Sequence, residues 1–324
     1  MKGIFIMLKI AIVGTGHIVT SHIAGISVLD DVELVAVCDI NEERAKEYSE
    51  KCGVPYVLDY KELPGKVDFD AVILNLPHGL HCEASEFFLD AGKHVLVEKP
   101  MANTVEECER MIAAAERNGK KLAIAHVQRY VTAVQKAKEI YESGELGKLC
   151  MYTEYRSGEY FGPNRPGWFF NKKMAGGGIG MNYLAHTFDR VFSVIGNQEI
   201  VSLDAQCGNL ATDHEVEGHI QVFAKFDSGV SAAISLNGYT STGYECYFHY
   251  TNGSVKLTAK KIEVNRADGN GFVPVELEKG IHTFAQEIDA FHRYIKGEPT
   301  DIPDGKYSMA IIDAIQVAYE KSGY

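Results

Sequence analysis

The sequence predicts an α/β chain: an N-terminal half built on a doubly wound parallel sheet, then an α+β half whose largely antiparallel sheet is open on one side. Three observations predict it. Over the first 126 residues, short apolar runs alternate with longer amphipathic ones. Between Val201 and Val264 the apolar residues tend to fall at every second position instead, with turn residues between runs. The length, 324 residues, accommodates two domains at roughly 150 residues each.

Strands are expected at 9–13, 33–38, 71–76, 94–97 and 122–125. Each is rich in Val, Ile, Leu or Ala and does not alternate, as when helices cover both faces of a sheet. Helices are expected between them at 17–29, 42–52, 80–91 and 105–118. The last opens with Thr104-Val105-Glu106-Glu107, a capping box, and ends at Gly119. Such alternation means βαβ units and a parallel sheet, so residues 1–126 form the first domain and 127–324 the second. In the second, a helix at about 131–141 leads to a strand at 149–155, a Gly/Pro/aromatic loop through Gly178 and a helix at about 180–195. Alternating strands HIQVFAKF, VSAAISL, YECYFHY, SVKLTA and KIEV follow, with Asp227-Ser228-Gly229 and Asn252-Gly253 as hairpin turns. Closing helices at about 284–296 and 307–321 are expected to cover this sheet.

Thirty-two Lys+Arg against 44 Asp+Glu leave a net charge of −12. That balance excludes a nucleic-acid partner, which draws on clustered basic residues, and docking on anionic lipid. Seven scattered cysteines without a C-x-x-C pair point to reduced thiols and a cytoplasmic protein. The opening MKGIFIMLKIAIVG reads as leading into a buried strand, with Met7 an alternative start. Lys9 interrupts the apolar run, and no A-x-A-like cleavage site follows, so a signal peptide is not expected. No stretch reaches the roughly 18 apolar residues of a membrane-spanning helix.

Gly14-Thr15-Gly16-His17-Ile18-Val19 joins the first strand to the first helix. In a dinucleotide site Gly14 permits the tight turn and Gly16 lets the backbone approach a pyrophosphate. The helix N-terminus then presents N–H donors to phosphate oxygens. Asp39 ends the second strand, where an acid accepts hydrogen bonds from the adenosine ribose. An ordinary turn with Asp39 as a helix cap is the plain alternative, but strand, glycine turn, helix and terminal acid together favour a dinucleotide. An acid at Asp39 repels a 2′-phosphate, so NAD is expected over NADP. Lys99 stands at a strand's carboxyl end, the edge where such sheets bind ligands. Beside an oxidised nicotinamide its pKa would fall, suiting it to proton transfer.

Further residues follow a recognisable order. Asn75-Leu76-Pro77-His78-Gly79-Leu80-His81 closes one strand and Glu98-Lys99-Pro100 the next. Gly176-Gly177-Gly178 precedes Asn182-x-x-x-His186-x-x-Asp189. In these motifs the chain resembles the glucose–fructose oxidoreductase / inositol dehydrogenase (Gfo/Idh/MocA) family over nearly its whole length. The resemblance implies a Rossmann domain, NAD, and a dehydrogenase or reductase acting on a carbinol of a sugar, polyol or related small molecule. It also implies that Lys99 touches substrate hydroxyl and cofactor and that His186 acts as general acid/base. His81 would then lie near the cofactor, with Glu98 an orienting or cofactor-contacting residue.

Asn75 and Leu76 are further cofactor candidates, and Gln128 is placed to reach the nicotinamide side. Asn182 stands where the family typically has Asp. It cannot ionise but can orient a substrate hydroxyl. Leu184 replaces a usual glycine, and Phe169 follows Trp168 where many members have Arg. Tyr160, Phe161, Trp168, Phe169 and Phe170 read either as a sugar-stacking surface or as a loop clamp. Asp189 reads as a structural cap or partner. No metal is expected, because neither His78-x-x-His81 nor His214 with His219 brings a convergent third ligand. Two alternatives stay open: an NAD-retaining glycosidase, and a non-catalytic dinucleotide-binding regulator on the same fold. The expected helices cover only one face of the second sheet, and the resemblance implies that the open face forms a subunit interface, giving a homodimer or homotetramer.

Overall fold

β1 (Leu8–Val13), the run LKIAIV, is the strand from which the first sheet grows in both directions. The computed structural model describes residues 7–259, 261–278 and 280–324, so the opening residues 1–6 lie outside the described residues. Then come α1 (Val19–Ile26), β2 (Val32–Cys38), α2 (Glu42–Cys52), β3 (Tyr56–Val57), α3 (Leu63–Lys66), β4 (Ala71–Leu74), α4 (His81–Asp90), β5 (His94–Glu98), α5 (Val105–Asn118) and β6 (Leu122–Ala125). The strands are parallel in the order β3-β2-β1-β4-β5-β6. The chain moves outward from β1 to β3, then crosses to β4 on the other side of β1 and moves outward to β6. With right-handed crossovers, that reversal puts the two sets of helices on opposite faces and opens a crevice at the carboxyl ends of β1 and β4. Ile10, Ile12, Val72, Ile73, Leu96 and Val97 are fully buried, which is why these strands read as unbroken apolar runs.

Local chemistry sets the helix ends. Asn41 accepts from the Arg44 N–H at 3.0 Å to start α2. Thr104 accepts from Glu107 N–H at 3.2 Å while the Glu107 carboxylate takes the Asn103 N–H at 2.9 Å, starting α5.

The second sheet begins after α6 (Thr132–Ser143). Its strands are β7 (Leu149–Ser157) and, beyond α7 (Lys172–Ala175) and α8 (Ile179–Ile195), β8 (Ile200–Gly208), β9 (His219–Phe226), β10 (Ser231–Asn237), β11 (Tyr244–Tyr250), β12 (Gly253–Thr258), β13 (Ile262–Asn265) and β14 (Val273–Pro274). The order is β14-β13-β12-β11-β7-β10-β9-β8. All neighbours are antiparallel except β7 and β10. In β9, Ile220, Val222, Ala224 and Phe226 point inward, and Gln221, Phe223 and Lys225 point to solvent. α8 lies on β9 and β10, and α6 lies on β12 and β13. β3, β8 and β14 were not read individually from the sequence. All three are edge strands; two have only two residues, and a register shift near Val201 breaks the alternation of β8.

α9 (Thr283–Lys296) and α10 (Gly305–Lys321) close the chain. Two compact units result, residues up to 127 with 281–309, and 128–280 with 310–324. The expectation that both closing helices cover the antiparallel sheet is therefore corrected: α9 packs on α1 in the first unit. A helical apolar stripe says that a face is buried, not which partner receives it. Gly25 permits the close approach, because a Cβ there would lie 2.9 Å from the Phe284 carbonyl carbon and Cβ. The fully buried His22 meets the Phe284 ring edge-on, centroids 5.0 Å apart. Among the described residues no helix is long and apolar enough to cross a membrane, and the seven cysteines form no disulfide.

The α1–α9 contact makes a testable prediction. Gly25→Leu forces a side chain against the α9 backbone, so the urea unfolding midpoint should fall, corresponding to about 1–3 kcal/mol. An unchanged midpoint would show that the two helices are not closely packed.

Candidate functional site

At the end of β1 the two glycines are glycine for different reasons. Gly14 has φ +93°, and a Cβ on it would lie 2.3 Å from the Asn75 carbonyl oxygen. The turn is held by the Gly14 N–H donating to the Cys38 carbonyl and the Asn75 N–H to that of Val13, each at 2.8 Å. Gly16 lacks that conformation, and a Cβ on it would meet no protein atom within 4 Å. Its bareness leaves the backbone approachable, as a pyrophosphate cradle requires. Val19, where a third glycine is usual, is buried in the core. His17 is exposed and Ile18 half-buried at the start of α1.

Asp39, just past β2, holds this turn from the side. One carboxylate oxygen accepts from the Thr15 N–H and hydroxyl, both at 2.9 Å. The other accepts from the Asn41 N–H at 2.8 Å and from the Arg44 guanidinium at 3.2 Å. Burial works to raise the carboxyl pKa, but these donors outweigh it and hold Asp39 below its ordinary value.

The carboxyl ends of β4 and β5 complete the edge in this unit. Asn75 and Leu76, both half-buried, follow β4. Glu98 and Lys99 lie at the end of β5, and the Lys99–Pro100 peptide is cis. A Glu98 carboxylate oxygen is 2.9 Å from His22 Nε2. Burial pushes Glu98 up, yet the His22 hydrogen bond and the charges of His22 and Lys99 hold it below the usual carboxylate range. His22 was missed in the sequence, where it reads only as one more residue on the inner face of α1.

His81, expected near the cofactor, has a fully buried ring, with Nδ1 2.9 Å from the Pro100 carbonyl and Nε2 2.8 Å from that of Leu76. Burial lowers its pKa against the pull of those carbonyls. The ring lies between the turns that follow β4 and β5, and in its neutral form it donates to one of the two carbonyls. His78 lies beside it, ring centroids 5.7 Å apart. Among the described residues no group of three or more His, Cys, Asp or Glu is placed to hold a metal ion.

In the second unit, Asn182 (buried) and His186 (half-buried) stand one turn apart on one face of α8. Gln128 belongs to this unit, and its side-chain oxygen accepts from Arg190 of α8 at 2.6 Å. Arg190 also donates to Glu154 at 2.7 Å, while the Glu154 carboxylate takes the Thr187 hydroxyl at 3.0 Å and that of Tyr152. Asp189 pairs with Arg129 at 2.7 Å, the structural role expected of it.

The start of α8 is closed by residues that the sequence did not reveal. The Glu217 carboxylate accepts from the Gly178 N–H at 2.6 Å and the Gly180 N–H at 2.7 Å. The Tyr319 hydroxyl donates to Glu217 at 2.8 Å and accepts from Met181 N–H at 2.7 Å. Burial raises the Glu217 pKa, and these donors counter it. No sequence signal singles Glu217 out of the acidic run Asp213-His214-Glu215-Val216-Glu217.

The aromatic loop resolves as a clamp of stacked protein rings. Phe170 stacks on His214 with centroids 4.3 Å apart, Phe161 on His214 at 5.4 Å, and Trp168 on Phe169 at 3.7 Å. Arg165 lies over the Tyr160 and Phe169 rings.

Residues 8–126 match the family model described as Gfo/Idh/MocA, "Oxidoreductase family, NAD-binding Rossmann fold", and residues 134–256 the "GFO/IDH/MocA C-terminal domain". The 1,5-anhydro-D-fructose reductase of Ensifer adhaerens is 27% identical over 94% of each chain. A 1-carboxy-3-chloro-3,4-dihydroxycyclohexa-1,5-diene dehydrogenase of Comamonas testosteroni is 30% identical over 72% of this chain, the match spanning 58% of that protein. The crystal structure of the aldose-aldose oxidoreductase of Caulobacter crescentus, complexed with glycerol, superposes with a TM-score of 0.89 over 98% of both chains at 24% identity.

Asp39 yields a pH prediction. A carboxyl held below its ordinary pKa in the folded state adds stability above the unfolded value of about 3.9, and that stability is lost as pH falls through the folded pKa. Unfolding free energy should therefore drop as pH falls below about 4, and less steeply in Asp39→Asn; equal slopes would remove Asp39 from the acid response.

Proposed function

We propose, from the premise that this chain belongs to the Gfo/Idh/MocA oxidoreductase family, that it is an NAD-dependent dehydrogenase or reductase acting on a carbinol or carbonyl carbon of a sugar, polyol or related ring compound. The observation that carries this reading is the shared carboxyl edge of one sheet. The ends of β2, β1, β4 and β5, adjacent in strand order, carry Asp39, the glycine turn, Asn75 with Leu76, and Lys99. Gly14, Thr15, Gly16, His17 and Ile18 would take the pyrophosphate through backbone N–H groups, and Asp39 the adenosine ribose.

Asp39 already accepts four hydrogen bonds. A ribose diol reaching it takes the place of Arg44, whose side chain is half exposed. The charge held on Asp39 opposes a 2′-phosphate, which supports NAD over NADP.

NAD, when bound, supplies the hydride acceptor, or donor in the reverse direction. Lys99 removes the hydroxyl proton of the carbinol, and Glu98, fixed by His22, orients it. His186 shares that proton, and the Asn182 amide orients the substrate. The relatives named for an anhydro sugar and for a dihydroxylated ring compound support a hydroxylated substrate. Cysteines without disulfides support a cytoplasmic location. The exposed Met151, Tyr155 and Phe223 on the open face of the second sheet support self-association as a dimer or tetramer.

Absorbance at the NADH band, with NAD and NADP run in parallel over a sugar and polyol panel, tests this reading. Turnover should be faster with NAD, and Lys99→Ala should lower kcat by about 10²–10⁴-fold while NADH still binds. Full turnover in Lys99→Ala would overturn the role of Lys99. Cofactor binding without turnover across the panel would identify a dinucleotide-binding regulator instead. Light scattering at micromolar concentration should show a dimer or tetramer; a monomer would count against self-association.

A further inference from the structure

The Gly176-Gly177-Gly178 segment ranks among the most specific motifs of the sequence, yet none of its glycines has a part in the chemistry above. The structure accounts for it. A Cβ at Gly177 would lie 2.1 Å from the Tyr319 hydroxyl, and one at Gly178 2.0 Å from the Glu217 carbonyl oxygen. A Cβ at Gly180 would lie 3.0 Å from both the Glu217 carboxylate and the Tyr319 hydroxyl. Gly177 and Gly178 make room for Tyr319 and Glu217, the latter 39 residues on from Gly178.

Together those side chains close the start of α8. The Gly180 N–H goes to the Glu217 carboxylate, Met181 N–H to the Tyr319 hydroxyl and Ile179 N–H to the Glu217 carbonyl at 3.3 Å. A carboxylate in this position also faces the positive end of the helix dipole. Asn182 and His186 lie one and two turns further along the same helix. A helix is stiff over that distance, so a shift of its first turn moves both side chains. Misplacement by about 1 Å can cost a reaction about 10²-fold.

We infer that Glu217 and Tyr319 are positioning residues that set the axial place of Asn182 and His186 by fixing the first turn of α8. The inference rests on the function proposed above for those two side chains. Its physical content, that the cap controls where His186 stands, is separable from the reaction.

The test is Glu217→Gln, which keeps the volume but places an amide NH₂, unable to accept, against one of the two backbone N–H groups. In the whole protein kcat should fall about tenfold or more with the KM for NAD unchanged, because the proposed NAD contacts lie mainly in the other unit. The NMR signal of the His186 ring, assigned with His186→Gln, should shift. In a His186→Ala background, Glu217→Gln should have little further effect on kcat.

An unmoved His186 signal with unchanged kcat would overturn the inference. So would a loss of the same factor in both backgrounds, which marks a purely structural cap. If Glu217→Gln does not fold, Tyr319→Phe, which removes only the hydroxyl bridging to Met181, carries the same measurements. If the parent protein turns over nothing, the proposed function fails, and the His186 signal alone decides the positioning role.

Discussion

A helix that begins inside a protein has N–H groups with no helical partner, and each must find one. At α8 that requirement falls on two residues, Glu217 through its carboxylate and carbonyl and Tyr319 through its hydroxyl. Glu217 itself precedes β9, so the cap ties the helix to the sheet on which it lies. Tyr319 brings α10 to the same point. Gly177 and Gly178, just before α8, are bare because these groups occupy the space their side chains would need. One constraint, the need to satisfy buried N–H donors, thus accounts for a sequence motif, a buried acid and the docking of the last helix.

Further along, α8 is fixed by charge. Arg190 meets Glu154, and Asp189 meets Arg129, all with almost no side-chain exposure. The cost of taking such ions out of water offsets much of their attraction, so the pairs add little net stability. Losing one partner, however, costs about 3–5 kcal/mol. Their effect is on register. Rotating α8 by one residue would strand an arginine and an aspartate in an apolar layer, so Asn182 and His186 are held to one face. Gln128, bonded to Arg190, adds a further hold on the same helix.

The fold was legible where the signal is local. β6, α2 and α5 begin and end where the sequence places them. Their ends are marked by Asn41, by Thr104 with Glu107, and by glycines at 53 and 119. The glycine turn, Asp39 and Lys99 were readable for the same reason, because a strand end and a turn announce themselves over a few residues. What stayed hidden depends on contacts across long separations. The stripe on α9 did not say that α1 would receive it. His22 reads as a core residue until Glu98, 76 residues on, is found against it. Glu217 looks like a stray acid until the start of α8 folds over it. The carbonyls of Leu76 and Pro100 beside the two nitrogens of His81 likewise show only in the fold.

The glycines also separate structure from function. Gly14 is required by Asn75 and by its own φ, and Gly178 by Glu217; either would be glycine in a protein that bound nothing. No such account serves Gly16. Its backbone is not left-handed and a Cβ there meets no protein atom, so a methyl group would cost the fold little. Under the proposed function the reason lies in a pyrophosphate, which would approach the backbone closely at this position between a strand end and a helix start. This resolves the conflict between a net charge of −12 and an anionic dinucleotide. The phosphates would meet neutral backbone N–H groups at close range, where the orientation of local dipoles decides the interaction, and the net charge, spread over the surface and screened within about 10 Å, does not.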